Sequence, residues 1–339
     1  MLNKKEPDNI VGSKGSESGL DKREKVVVLI GPTAVGKTKL SIELAKRFNG
    51  EIISGDSMQI YKGMDIGTAK IKPSEMEGIP HHLIDIKKPE EPFSVAEFQE
   101  LVRLKIAEIS QRGKLPMIVG GTGLYIQSVI YDYQFSDAPS DERFRVILEK
   151  RAEAEGNEKL HQELMEVDPE SAKKIHPNNV RRVIRALEVY HCTGKTVSDY
   201  QEKQQPELIY QTAIIGLTMQ RDILYDRINK RVDLMVRDGL LPEVENLYMQ
   251  GLKDCQSIQA IGYKEIYEYF QEHLTLEEAI IQLKQNSRRY AKRQLTWFRN
   301  KMNVNWFDMT DAVNLEGFEK KLDEISTHIE GKLQLKSNT

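Results

Sequence analysis

The sequence predicts an α/β fold: a parallel sheet flanked by helices and interrupted by an all-helical insertion. Three observations predict it. Residues Lys25–Gly31 read KVVVLIG, a continuous apolar run with three β-branched valines, the pattern of a strand buried on both faces. Strand and helix patterns then alternate over about one hundred residues, which calls for right-handed crossovers between parallel strands. From about Phe135 to residue 200 the strand signal vanishes, and charged segments of helical period follow one another.

The elements follow in order. After the first strand comes GPTAVGKT and then KTKLSIELAKRF, where Leu40, Leu44 and Phe48, with Ile42 and Ala45, recur at helical spacing. Asn49-Gly50 stops that helix. EIISGD is a second strand, and residues 61–93, rich in Gly, Pro and Lys, read as loop. SVAEFQELVRLKIAEISQRGK is an amphipathic helix with Ser94 as N-cap and Glu97 completing a capping box. LPMIVGGTGLY is a further buried strand that breaks at Gly120-Gly121. The insertion reads as SDERFRVILEKRAEAEG, EKLHQELMEV and NNVRRVIRALEVYHCTGK, the last closing at Gly194. A strand returns at YQTAIIGLTM, through Ala213, Ile214, Ile215 and Leu217, and helices resume at ILYDRINKRVDLMVRDG, LPEVENLYMQG and EEAIIQLKQNSRRYAKRQLTWFRN. These patterns divide the chain into an α/β core over residues 25–137 and 201–315, an insertion over 138–200, and a C-terminal helix and tail over 316–339. The polar opening, residues 1–24, reads as a disordered tail without an apolar signal core.

Composition narrows the function classes. A formal net charge of −3 over 339 residues excludes a generally basic nucleic-acid binder, so any such contact must rest on local patches. Cys192 and Cys255 are far apart and in no metal-binding spacing, which suits a reducing cytoplasm. No apolar run approaches the roughly 18 residues of a membrane span. His81 and His82, being adjacent, cannot both face one ion from a regular element and suit packing or capping; His176, before Pro177 at a helix start, reads as structural.

The chemistry begins at Gly31–Thr38, which matches the phosphate-loop pattern G-x-x-x-x-G-K-[ST] between a buried strand and an amphipathic helix. Gly31 and Gly36 let the backbone curl so that the amides of Gly31, Pro32, Thr33, Ala34, Val35, Gly36, Lys37 and Thr38 (the imino Pro32 excepted as a donor) form an anion cradle at a helix N-terminus. Lys37 adds a point charge and the Thr38 hydroxyl can hold Mg²⁺. The fold class is therefore that of the P-loop NTPases. An ATPase would carry an Asp at the end of another buried strand, yet PMIVGGT ends in glycines and threonine. Asp56, at the carboxyl edge of the second strand, faces the ligand crevice of such a sheet. Its carboxylate can serve as a base, or as the N-cap of a turn, and the residues alone leave both readings open. Asp65 and Asp85 read as turn or solvated residues. Arg227 and Arg231 lie one turn apart on one helix face, either an anion site or a solvated basic face.

GPTAVGKT, SGDSMQIYKGMDIGTAK, HHLIDI, VGGTGLY, IHPNNVRRVIRALEVY, IGYKE and KRQLTWFRN occur in this order, and together they closely resemble the bacterial tRNA dimethylallyltransferases, or tRNA isopentenylpyrophosphate transferases. The resemblance covers roughly residues 25–310. It implies transfer of the dimethylallyl group of dimethylallyl diphosphate to N6 of the adenosine 3′ of the anticodon, with Mg²⁺ and release of pyrophosphate. Asp56 matches the family's general base and Arg231 its catalytic arginine. Asp56, Ser57, Met58 and Gln59 match its acceptor-binding stretch, as does Thr122. Further tRNA contacts are implied at Arg145, at Arg181, Arg182, Val183, Ile184 and Arg185, and at Gln259, Ala260, Ile261, Gly262, Tyr263 and Lys264. The partner implied is a tRNA anticodon stem-loop, and the chain reads as a cytoplasmic monomer.

The residues themselves support RNA contact in two places. In NNVRRVIRALEVY an apolar stripe of Val183, Ile184, Leu187 and Tyr190 leaves the arginines on other faces, with Arg143 and Arg145 adding charge nearby. NSRRYAKRQLTWFRN interleaves Arg288, Arg289, Lys292, Arg293 and Arg299 with Tyr290, Trp297 and Phe298. Three rival functions share some of these features. They are a small-molecule P-loop kinase, an adenylate isopentenyltransferase acting on free nucleotides, and a non-catalytic RNA-binding P-loop protein. The basic helical insertion argues against the second, and Asp56 with Arg231 against the third.

Overall fold

A computed structural model describes residues 23–133, 141–201 and 207–338. The tail expected over residues 1–24, apart from its last two residues, and the first edge of the insertion lie outside the described residues.

The described strands are β1 (Lys25–Ile30), β2 (Gly50–Ser54), β3 (His81–His82), β4 (Leu115–Gly120), β5 (Gln211–Thr218) and β6 (Asn305–Asp308). They form one sheet in the order β3-β2-β4-β1-β5-β6, and every pairing is parallel. β1 lies at the centre, with Val27 opposite Met117 on one side and Ala213 on the other. Its valines explain that place. Val26, Val28 and Ile30 point into one apolar layer, Val27 and Leu29 into the other, and all are essentially inaccessible. An all-parallel sheet needs cover on both faces, and the chain supplies it.

The helices before the insertion are α1 (Lys37–Arg47), α2 (Val95–Gln111) and α3 (Gly123–Ile130). The insertion contributes α4 (Glu142–Glu155), α5 (Asn157–Val167), α6 (Pro169–Lys174), α7 (Val180–Thr193) and α8 (Val197–Gln201). After β5 come α9 (Arg221–Arg237), α10 (Leu240–Met249), α11 (Tyr263–Phe270), α12 (Leu276–Lys301) and, after β6, α13 (Leu315–Leu333). α2, α3, α10 and α11 pack in the layer of Val26, while α1 and α13 pack in that of Val27. Helices α4–α7 hold a separate apolar core around Leu148, Leu160, Leu164 and Leu187. No described helix is long and apolar enough to cross a membrane, and both cysteines are free thiols.

Several details differ from the sequence expectation, among them the short helices α3, α6 and α8. The 61–93 segment holds a 3₁₀ turn at Pro73–Glu75 and the two-residue edge strand β3. A pairing of His81 and His82 with Ile52 and Ile53 is too short to leave a periodic signal. α11 and β6 likewise escape a reading by period, being 8 and 4 residues long. The capping box of α2 is half formed: Ser94 Oγ accepts from Glu97 N at 3.1 Å, but the Glu97 carboxylate turns to Lys87 at 2.7 Å. An ammonium offers it a charge-assisted bond that a backbone amide does not. Finally, Tyr190 is 42% exposed, and the apolar stripe of α7 runs through Val183, Ile184, Leu187 and Val189 instead.

Candidate active site

The carboxyl ends of β1, β2 and β4 meet around one cavity of about 590 Å³. The phosphate loop leaves β1 and enters α1 through Gly36, whose φ of 108° belongs to the left-handed region that favours glycine. No side chain caps α1, so the amide donors of its first turn are left to a ligand. Ala34 is held in left-handed backbone at φ 65° without being glycine, and Arg227 Nε donates to its carbonyl at 2.8 Å. Lys37 folds back over the loop, with Nζ donating to Gly31 O at 2.9 Å and Pro32 O at 2.8 Å. Burial, and secondly the Arg231 guanidinium, bring the Lys37 ammonium down to about 7, against the pull of Asp56.

Asp56 follows β2 by two residues. Its Oδ1 accepts the Met58 N–H at 2.8 Å, and its own N–H donates to Ser54 Oγ at 3.4 Å. Both readings of this residue therefore meet in one place: a turn fixes the carboxylate, and the turn sits in the cavity wall. Burial raises its pKa above the usual carboxylate range, offset by the Met58 N–H and the charge of Lys37. A raised pKa makes the ionised form a stronger base. Arg231, on the same face of α9 as Arg227, also lines the cavity, and burial lowers its pKa while Asp56 opposes that. Asp65 and Asp85 instead flank the buried Lys70 ammonium at 2.5 and 2.6 Å, outside the site.

The turn after β4 explains its glycines. A Cβ on Gly120 would meet the Gly55 carbonyl group at 2.3 Å, and one on Gly121 would meet Gln294 Nε2 at 2.1 Å. Thr122 then begins α3 and its Oγ1 accepts the Ser57 N–H at 3.2 Å. Lys37, Arg227, Arg231, Lys264 and Arg293 line the cavity against a single carboxylate, Asp56. Such a balance favours a polyanion. Ile52, Ile71, Val119, Val232, Met235 and Leu283 supply an apolar wall beside the charges.

The other expected residues fall into three groups. Thr33, Ala34, Gly36, Lys37, Thr38, Ser57, Met58, Gln59, Gln259, Ala260, Ile261 and Lys264 line the cavity; Gly31, Pro32 and Val35 lie beneath it, buried. Gly262 and Tyr263 do not line it. Tyr263 is a correction: its ring is fully buried and its hydroxyl donates to Glu243 Oε1 at 2.6 Å. Residues of the insertion stand apart from the cavity. Arg181 and Arg182 are exposed, whereas Val183 and Ile184 are a second correction at their side chains, which are buried at 1% and 3% in the insertion's own core and offer RNA no side-chain surface. Arg145 Nε and Arg185 both contact the carboxylate of the fully buried Glu188, at 2.8 and 2.6 Å.

Sequence reasoning missed Gln294, which lines the cavity from α12 one turn after Tyr290, an aromatic it read as an RNA-contact residue. Their i, i+4 spacing was the available signal, hidden among the basic residues of that helix. It also missed Glu243, whose carboxylate accepts the N–H groups of Asp65, Ile66 and Gly67 within 3.0 Å; nothing local could reveal that.

Residues 59–301 match the family model described as IPP transferase. A tRNA dimethylallyltransferase of Geobacillus thermodenitrificans (strain NG80-2) is 67% identical over 315 residues, covering 93% of this chain and 99% of the relative. One from Bacillus cereus (strain Q1) is 67% identical over 316 residues, covering 93% and 98%. The solved full-length tRNA isopentenylpyrophosphate transferase of Bacillus halodurans is 58% identical with a TM-score of 0.70, over 92% of this chain and 97% of that one. A eukaryotic dimethylallyltransferase solved acting on tRNA is 32% identical with a TM-score of 0.79, over 93% and 81%.

Proposed function

The chain belongs to the IPP transferase family and is a transferase, and on that premise we propose that it moves the dimethylallyl group of dimethylallyl diphosphate to N6 of the adenosine 3′ of a tRNA anticodon. The observation that carries the reading is one cavity that holds five cationic groups, an apolar wall and a single buried carboxylate, Asp56. The phosphate loop and the uncapped start of α1 take the diphosphate, with Lys37 and Arg231 beside it. The dimethylallyl group suits the apolar wall. A base held in a cavity must first leave its stack, which suits the anticodon loop.

The reaction then balances simply. The N6–C1 bond forms as the C1–O bond to diphosphate breaks, the N6 proton passes to Asp56, and pyrophosphate leaves with the bond's electron pair. The adenine amine is a weak nucleophile because its lone pair is delocalised, so a positioned base of raised pKa helps. Charge grows on the departing diphosphate, and Lys37, Arg231 and the loop amides are preorganised donors for it.

Mg²⁺ fits the donor set. Among the described residues no three His, Cys, Asp or Glu side chains gather for a metal, and Mg²⁺ commonly takes one or two protein oxygens with phosphate and water. The Thr38 hydroxyl, exposed in the cavity wall at the start of α1, would hold it. When bound, the ion neutralises diphosphate charge. A place in the cytoplasm fits this reading, since tRNA is found there.

The test is incubation with radiolabelled dimethylallyl diphosphate, Mg²⁺ and either unmodified tRNA or AMP. Label in tRNA supports the proposal. Label only in AMP favours an adenylate isopentenyltransferase, and phosphoryl transfer from ATP without prenylation favours a kinase. Asp56→Ala should lower transfer by about 10²-fold or more, the usual worth of a general base, with tRNA affinity little changed. Collapse of tRNA binding would make Asp56 an RNA-positioning group instead.

A further inference from the structure

We propose that Gln294 is a positioning residue for the diphosphate, a strut that holds the phosphate loop against the turn after β4; this rests on reading the cavity as a diphosphate site. Gln294 is 6% exposed on α12 and both ends of its amide are engaged. Oε1 accepts the Thr33 N–H at 3.1 Å, and Nε2 donates to Gly121 O at 3.1 Å. These bonds reach across 261 and 173 positions of sequence. The fit leaves no slack, since a Cβ on Gly121 would stand 2.1 Å from Nε2.

One turn earlier on α12, Tyr290 continues the same seam. Burial, and secondly the Asp56 charge, push its phenol up to about 12, offset in part by hydrogen bonding to Thr122 and Gln294. Thr122 in turn accepts from Ser57 N–H, beside Asp56. α12 thus ties together the phosphate loop, the end of β4 and the loop that carries Asp56. With the Thr33 amide taken by Gln294, the later loop amides and the open turn of α1 are left for the ligand, and their aim depends on where Thr33 is held. A primary amide offers a fixed acceptor and a fixed donor on one plane at this length. An ionised glutamate has no donor for Gly121 O, and methionine has neither group.

The test measures binding of inorganic pyrophosphate to the full chain by calorimetry, with tRNA affinity measured alongside. Gln294→Met keeps the side-chain length, and it should weaken pyrophosphate binding by about tenfold, the scale of one lost bond to a positioned group, leaving tRNA affinity within about twofold. Gln294→Glu decides the matter where the Met variant fails to fold. Relative to the unmodified chain at each pH, its pyrophosphate affinity should recover as pH falls, because a protonated carboxyl again carries one donor and one acceptor. Because an ionised glutamate in the cavity wall also repels pyrophosphate, the proposal requires the affinity recovered at low pH to exceed that of a folded uncharged variant, Gln294→Leu or Gln294→Met, which lacks both hydrogen bonds. Affinity within about twofold of the unmodified chain in folded Gln294→Met, or a Gln294→Glu deficit that at low pH stays as large as that of the uncharged variant, overturns the proposal. Failure of the unmodified chain to prenylate tRNA would overturn the reaction assigned above, and the pyrophosphate comparison does not depend on that outcome.

Discussion

Arg227 donates from Nε to the carbonyl of Ala34 at 2.8 Å, across 193 positions of sequence. Ala34 stands in left-handed backbone that an alanine adopts only under constraint. The bond therefore does more than add charge to the cavity: it holds the phosphate loop in a shape its own residues would not choose. Arg227→Ala should weaken pyrophosphate binding by about tenfold or more, the worth of a charged hydrogen bond. Arg227→Lys should recover little of this, since an ammonium lacks the fixed geometry of the guanidinium. Equal affinities by calorimetry would show that the loop keeps its shape unaided.

Lys37 supplies a pH dependence. In the ligand-free protein its ammonium titrates near 7, because burial and Arg231 disfavour the charge. A diphosphate beside it favours the charge, so its pKa rises on binding. Above pH 7 binding must then take up a proton, and affinity should fall as pH rises from about 7 towards 9. Calorimetry in buffers of different ionisation heat counts that proton directly. Lys37→Arg, charged throughout, should abolish the uptake; its persistence would assign the proton to another group.

Glu188 should govern the stability of the insertion. It is inaccessible to solvent and accepts from Asp141 N–H, Arg145 and Arg185. Those hydrogen bonds and cations hold its pKa below the usual range against burial. Removing one partner of a fully buried pair costs about 3–5 kcal/mol. Because Arg145 and Arg185 are themselves partly exposed, at 34% and 40%, Glu188→Ala should cost less, about 2 kcal/mol. Urea unfolding monitored within the insertion checks this. Acid should act in the same direction: the contribution is present above the ordinary glutamate pKa and is lost as pH falls through the lowered one.

Arg181 and Arg182 are exposed on α7, where the family resemblance implies an RNA contact. Arg181→Ala with Arg182→Ala should weaken tRNA binding and reduce the slope of log affinity against log salt by about one to two, one for each lost phosphate contact. Val183→Ala should leave the slope unchanged and lower the melting temperature, since its side chain lies in the insertion core. An unchanged slope in the arginine variant would remove α7 from the footprint.

Much of this molecule is legible in its sequence because the relevant physics is local. KVVVLIG, LPMIVGG and YQTAIIGLTM are short apolar runs bounded by turn residues, EIISGD is a shorter segment of the same kind, and each contains a strand of the parallel sheet. GPTAVGKT carries its own turn chemistry, so the loop and the start of α1 could be placed from the residues alone. The same logic fails for β3, α11 and β6, whose short segments hold too few residues to show a period.

The sequence by itself determined the sheet, the phosphate loop, and the place of Asp56 at the edge of β2, since periodicity and turn residues act between near neighbours. Only the tertiary structure decided what surrounds them. It put Gln294 and Arg227 on the phosphate loop from helices hundreds of positions away, buried Val183, Ile184 and Tyr263, and gave Arg145 and Arg185 to Glu188. It also lowered the Lys37 pKa and raised that of Asp56, shifts that arise from burial and from charges brought close by packing. Burial and long-range partners are properties of the packed chain, and no stretch of sequence carries them alone.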